Sequence, residues 1–190
     1  MYDRYQGLIF DMDGTIIESL PAHRQAWEEV LGRYGLPYEP EFMASQSGAP
    51  TWQIASSILT RHGADLDPRL IAKQKADAVE LLLFDLCRPL PLIEDVVKAY
   101  HGRRPMAVGT GSETAVAEAL LRHMGLRDYF SVLVGANDVQ AHKPAPDTFL
   151  LCAEKLGIAP QHCVVFEDAE FGLQAARRAG MDVVDVRTLY

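Results

Sequence analysis

The chain has 190 residues, 48% of them hydrophobic, and a formal net charge of −8. That length and apolarity suit one full-sized core, alone or with a smaller satellite, and exclude a disordered tail. The acidity argues against a nucleic-acid or anionic-membrane partner, so an anionic substrate must be met by local cations.

Three cysteines, Cys87, Cys152 and Cys163, form an odd set without paired spacing, which predicts reduced thiols in a cytoplasmic protein. Cys152 and Cys163 lie in apolar runs and read as small buried hydrophobes. The opening "MYDRYQG" lacks the basic start and apolar stretch of a signal peptide, and no window of about 18 apolar residues follows.

The first predicted element is a strand, "GLIF" (7–10), whose continuous apolarity suits a buried parallel sheet. Residues 18–88 then carry helical patterns: "PAHRQAWEEVLGRYG" with Pro21 near its start and Gly35 past its end, "TWQIASSILTRHG", and "PRLIAKQKADAVELLLFDL". "RPLPL" (88–92) marks the return to the core. "PMAVGTGS" (105–112) reads as strand, Gly-rich turn and the start of a helix that stops at Gly125. "FSVLVGAND" (130–138) is a strand, "DTFLLCAEKLG" (147–157) a helix with Asp147 as N-cap, and "CVVFED" (163–168) a strand. "FGLQAARRAG" is a helix closed by Gly180, before a last strand, "MDVVDV". This alternation implies an α/β fold: a Rossmann-like parallel sheet core with helices on both faces, made of residues 1–17 and 89–190, with a small helical insert at 18–88.

In such sheets ligands bind at the carboxyl ends of the strands. Those ends carry Asp11 and Asp13 in "DMDGT", Thr110, Gly111 and Ser112 in "GTGS", Lys143 in "HKPAPD", and Glu167 with Asp168 in "FEDAEFG". The acids suit a hard cation such as Mg²⁺, the Thr-Gly-Ser turn suits phosphate, and Lys143 adds a point charge on a segment that Pro144 and Pro146 should keep extended. Together they describe phosphoryl transfer, with Asp11 as nucleophile and Asp13 as general acid and base. "DMDG" also resembles the start of an EF-hand loop, but position twelve would be Ala22 instead of a bidentate acid.

The four motifs, in this order, resemble those of the haloacid dehalogenase-like phosphotransferases, and the insert is placed like the cap of the β-phosphoglucomutase-like branch. The resemblance implies an aspartyl-phosphate intermediate on Asp11. It implies Mg²⁺ held by Asp11, the backbone carbonyl of Asp13, and Asp168, with Glu167 bound directly or through water. Thr110 and Lys143 would hold the phosphoryl group, and Thr15 would support the loop. The wording of "HGRRPMAVGTGSE" and "KPAPDTF" is similar to that of small bacterial phosphatases acting on fructose 1-phosphate and 6-phosphogluconate. A monomer acting on a small sugar phosphate is expected. Two positions depart from the pattern: Ala169 replaces the usual serine, and the cap loop "SGAPTW" has Thr51 and Trp52 near the place of a mutase arginine that grips a second phosphate.

Specificity should lie on cap residues facing the catalytic loops, with His23, Trp52 and Lys75 as candidate substrate contacts. Three classes compete: a sugar phosphatase, a sugar-phosphate mutase, and a phosphorylated receiver module. In a receiver the acidic pair precedes the phosphorylated aspartate, which argues against it here.

Overall fold

In the computed structural model, residues 1–46 and 49–190 are described; Ser47 and Gly48, at the start of the cap loop, lie outside the described residues. Strand β1 (Gly7–Phe10) is flanked by β4 (Met106–Gly109) and β6 (Cys163–Glu167). With β5 (Val132–Val134) and β7 (Asp182–Asp185) they form a wholly parallel sheet of order β5-β4-β1-β6-β7. The chain runs from β1 to one edge and then to the other, so the strand order reverses beside β1, where such sheets place their ligands.

β1 is apolar throughout because both of its faces are covered. Leu8 and Phe10 enter one core cluster with Val108, Val164 and Phe166, while Ile9 enters the other with Ala107, Val165 and Phe149. The rings of Phe10 and Phe166 stack at 4.5 Å between centroids. Helices α5 (Pro91–Tyr100) and α6 (Thr114–His123) feed the first cluster; α7 (Asp147–Leu156) and α8 (Glu170–Arg178) feed the second. Burying each such large side chain contributes roughly 1.5–3 kcal/mol.

The insert holds α1 (Leu20–Arg33), α2 (Pro40–Ser45), α3 (Thr51–His62) and α4 (Pro68–Leu86), with α4 packed on both α1 and α3. Its two connections pair as an antiparallel ribbon, β2 (Ile17–Glu18) with β3 (Arg88–Pro89), and Leu90 N–H donates to the Ile16 carbonyl at 2.8 Å. The apolar cluster under the sheet continues into the insert through Ile17, Trp27, Leu31, Ile58 and Ile71.

Several elements differ from expectation. The 130–138 strand shrinks to three residues because a 3-10 turn at Ala136–Asp138 follows it. Asp147 is the first residue of α7 and not its N-cap; Pro146 holds that place and no side chain caps the helix. The Lys143 segment is a turn, closed by Ala145 N–H on the His142 carbonyl at 2.9 Å and tied to α8 by Arg178, which donates to the Pro144 carbonyl at 2.8 Å. Helices α2 and α5 and the β2–β3 ribbon carried no sequence expectation. The three thiols are free and buried, and burial pushes Cys152 up to about 12. No described helix is long and apolar enough to cross a membrane.

Candidate active site

Where β1 ends, the Asp11 N–H continues the ladder by donating to the Phe166 carbonyl at 2.9 Å. The chain then curls so tightly that the Met12 carbonyl accepts from the N–H groups of Thr15, Ile16 and Ile17 at 3.2, 3.0 and 3.0 Å. Gly14 makes this turn with φ of 85°, and any side chain there would run into the Asp168 carboxylate. The curl turns Asp11 and Asp13 towards different partners.

Asp11 is buried and accepts from Lys143 Nζ at 2.6 Å; the same ammonium donates to Glu167 at 2.8 Å. Glu167 uses its other oxygen to accept from the N–H groups of Asp168 and Ala169, and Thr15 donates to Asp168 at 3.1 Å. Gly172 of α8 lies so close that a Cβ would overlap the Glu167 carboxylate. Asp11, Glu167 and Asp168 each offer an oxygen, all within 4.8 Å of one another. Burial and then Glu167 raise Asp11 well above the usual carboxylate range and push Asp168 up to about 7. Burial alone would lower Lys143, but Asp11 and Glu167 hold it above its ordinary value. Three hard oxygen donors facing one ammonium leave a deficit of positive charge, which fits a divalent cation.

Asp13 stands outside that cluster. One oxygen accepts from Ser19 Oγ at 2.6 Å and from His23 Nε2 at 3.2 Å; the other accepts from Ser112 Oγ at 2.9 Å. Burial opposes its ionisation, yet these three donors, His23 foremost, hold its carboxyl well below the usual range. Lys75 Nζ lies 2.6 Å from His23 Nδ1, so a donating ammonium places the ring proton on Nε2, facing Asp13. Burial lowers Lys75 to about 8, and burial with the neighbouring Lys75 lowers His23.

A cleft of about 580 Å³ opens between these groups and the insert. Its floor brings together Asp11, Asp13, Thr110, Gly111, Ser112, Lys143, Glu167 and Asp168; its far wall includes His23, Arg24, Trp27, Tyr38, Met43, Thr51, Ile54 and Lys75. Thr110 Oγ1 accepts from Ser112 N–H at 3.0 Å, which leaves its own hydroxyl hydrogen to donate elsewhere. Trp52 requires a correction. It does not line the cleft; it is 45% exposed, with the Arg69 guanidinium over its ring, because α3 turns Thr51 and Ile54 to the cleft instead. Sequence reasoning missed Ser19, Arg24, Trp27 and Tyr38. Trp27 was within reach, since it follows His23 by four residues and so shares its helix face.

Residues 5–180 match the family model for haloacid dehalogenase-like hydrolases. The chain is 62% identical over 189 residues to the fructose-1-phosphate phosphatase YqaB of Escherichia coli (strain K12), covering 100% of both chains. Among solved structures it is similar to a β-phosphoglucomutase from Clostridium difficile, with a TM-score of 0.84 and 25% identity over 97% of this chain and 87% of that one. It is also similar to CbbY from Rhodobacter sphaeroides in complex with phosphate, with a TM-score of 0.81 and 27% identity over 94% of this chain and 84% of that one. A parallel sheet whose strand ends gather an Asp-x-Asp loop, a lysine and an acidic pair is thus matched by sequence along nearly its whole length, and the chain belongs to the haloacid dehalogenase-like hydrolases.

Proposed function

We propose that this protein is a Mg²⁺-dependent phosphatase of small sugar phosphates, fructose 1-phosphate foremost, working through a phosphoryl group carried on Asp11. The chain is a phosphoric monoester hydrolase by family and by its 62% identity to a phosphatase. The observation that carries the chemistry is the separation of two aspartates on one loop: Asp11 beside Lys143 and the acidic pair, Asp13 beside Ser112 and His23. Identity over the whole length to a fructose-1-phosphate phosphatase supports the substrate.

In this reading Thr110 and Lys143 hold the phosphoryl oxygens, with the Gly111 amide beside them. An Asp11 oxygen attacks phosphorus as the ester P–O bond breaks, and the departing sugar oxygen takes a proton from Asp13. Water then attacks the phosphoryl group on Asp11, giving its proton to Asp13, and inorganic phosphate leaves. As it stands, Asp13 is held ionised by its three donors and so is ready for the second half-reaction. Donating in the first half requires substrate to exchange those hydrogen bonds. Mg²⁺ bound by Asp11, Asp168, Glu167 and the Asp13 carbonyl would neutralise charge developing on the phosphoryl oxygens.

Residues 18–88 serve as the cap over a core of 1–17 and 89–190, and the same reading takes the protein as a cytoplasmic monomer with its thiols reduced. The structural likeness to a β-phosphoglucomutase favours a mutase as second reading. Against it, the cap loop residues Ala49 and Thr51 bring no arginine to the cleft. Phosphate release from a panel of sugar phosphates, with Mg²⁺ and with chelator, tests both. Mg²⁺-dependent release led by fructose 1-phosphate is expected; conversion of β-glucose 1-phosphate to glucose 6-phosphate without release would replace the phosphatase by the mutase.

A further inference from the structure

Thr110, Gly111 and Ser112 lie between β4 and α6, outside any helix or strand, so their backbone must be held by a neighbouring segment. The turn after β5 holds it. Thr110 N–H donates to the Val134 carbonyl and Ala136 N–H to the Ser112 carbonyl, both at 2.9 Å. Where α6 begins, Thr114 donates its N–H to Asn137 Oδ1 at 2.8 Å and its hydroxyl to Asp138 Oδ2 at 2.7 Å. The same Asp138 oxygen accepts from Gly135 N–H at 2.8 Å. One atom thus ties the end of β5 to the start of α6, and Gly135 lies so near that a Cβ would overlap the Thr114 backbone. The Gly135 amide and then the Thr114 hydroxyl hold the Asp138 carboxyl below the usual carboxylate range, so the tie is charge-assisted at neutral pH. Asp138 itself does not line the cleft.

Resting on the phosphatase reading, we infer that Asp138 is a positioning residue for the phosphate cradle: by clasping Thr114 to Gly135 it fixes the 110–112 loop, which presents the Thr110 hydroxyl and the Gly111 amide. Bonds within the site carry the effect inward. Ser112 N–H donates to Thr110 Oγ1 at 3.0 Å, which directs the Thr110 hydroxyl hydrogen away from the loop, and Ser112 Oγ donates to Asp13 at 2.9 Å. A shift of Ser112 therefore disturbs both groups at once. Asp138 also stands five residues before Lys143, so the clasp sets this loop against the segment that carries the other group proposed to hold the phosphoryl oxygens. A misplacement of about 1 Å is enough to cost about 10²-fold in rate.

Asp138→Ala removes both bonds from an exposed turn. With Mg²⁺ present, its inhibition constant for inorganic phosphate should rise about tenfold and its kcat/KM should fall by at least as much. The fall should be the same for fructose 1-phosphate and 6-phosphogluconate, because only their shared phosphate end is loosened. Asp138→Asn keeps an oxygen acceptor and should recover part of the loss. Thr114→Val removes the hydroxyl alone and should weaken phosphate inhibition in the same direction. Arg127→Ala is the stability control: it breaks the bonds of Arg127 to Glu118 and to the Phe130 carbonyl, beyond the far end of α6, and should leave phosphate inhibition within about twofold of wild type. Unchanged phosphate inhibition in Asp138→Ala overturns the inference, as does an equal rise in Arg127→Ala or no recovery in Asp138→Asn. A changed ratio between the two substrates also overturns it, by placing the effect in the cap wall. If wild type neither releases phosphate from a sugar phosphate nor binds inorganic phosphate, the phosphatase reading fails and takes the inference with it; release by wild type with Asp138→Ala unaffected refutes the inference alone.

Discussion

Lys75 and His23, 52 residues apart in the chain, meet at 2.6 Å, and the far nitrogen of the same imidazole lies 3.2 Å from Asp13. A buried ammonium thus reaches Asp13, the carboxylate proposed as general acid and base, through one ring. His23→Ala removes the Nε2 donor and leaves Lys75 buried without its partner. Its kcat should fall about 10²-fold with KM little changed, read by steady-state kinetics, because orientation and protonation of Asp13 matter to the reaction more than to binding. An equal rise in KM would make His23 a substrate contact instead.

The lowered Lys75 also gives a signed pH prediction. Burial holds it near 8 against an ordinary value of 10.5, so between these pH values the unfolded chain binds the extra proton. Stability from this group therefore rises with pH across the window. The three buried thiols, each raised above 9.0, act in the opposite sense and must be subtracted. Denaturant unfolding of wild type and Lys75→Met should show wild type gaining about 3 kcal/mol relative to the variant from pH 8 to 10.5.

Three carboxylates around one ammonium should make the protein depend on a divalent cation for both activity and stability. Chelation should abolish phosphate release, and Mg²⁺ at about a hundredfold over its Kd should stabilise the fold by about 2.7 kcal/mol in thermal unfolding. Asp168→Asn should require about 10–100-fold more Mg²⁺ for half-maximal activity.

Asp11→Asn removes the oxygen proposed to attack phosphorus while keeping the side chain's shape. Turnover should drop by about 10⁴-fold or more. The melting temperature in chelator should hold or rise, because one of the crowded charges is gone. Retained phosphate release by the folded variant would exclude Asp11 as nucleophile.

Gly172→Ala addresses the support beneath the site. The added methyl meets the Glu167 carboxylate, which is held by Lys143 and two backbone amides and has nowhere to move. A loss of about 1–3 kcal/mol is expected in denaturant unfolding, together with a lower kcat.

The core was legible in the sequence because β1, β4 and β6 are apolar on both faces and end at charged or Gly-rich turns, so strand and loop chemistry coincided. The four motif segments reach one cleft for the same reason. Helix α5 was missed although Ile93, Val97 and Tyr100 mark a buried stripe at helical spacing, because Pro89 and Pro91, the second of them the helix's own first residue, were read as a boundary. Helix α2 has six residues and buries none of them, so no periodicity existed to read. The β2–β3 ribbon is two residues wide and depends on a pairing across more than seventy residues, which local pattern does not carry. Trp52 falls outside the cleft lining because helix rotation decides which residue of a turn faces the cleft, and a one-residue error moves a side chain to another face. Arg24 was passed over since its pairing with Glu28 at four residues' spacing looks like ordinary helix surface.

That two-residue ribbon pairs Ile17 with Pro89 and Glu18 with Arg88, so both crossings to the insert run side by side at one place. The insert is thereby a graftable module: cutting at one rung and joining another insert there would leave the sheet and all four strand-end motifs untouched. What limits such exchange is the apolar cluster shared by Phe10, Ile17, Trp27 and Leu31, which any transplanted insert must meet with matching volume. The far wall of the cleft can therefore change in this architecture with one repacked seam, while the residues on its floor stay in place.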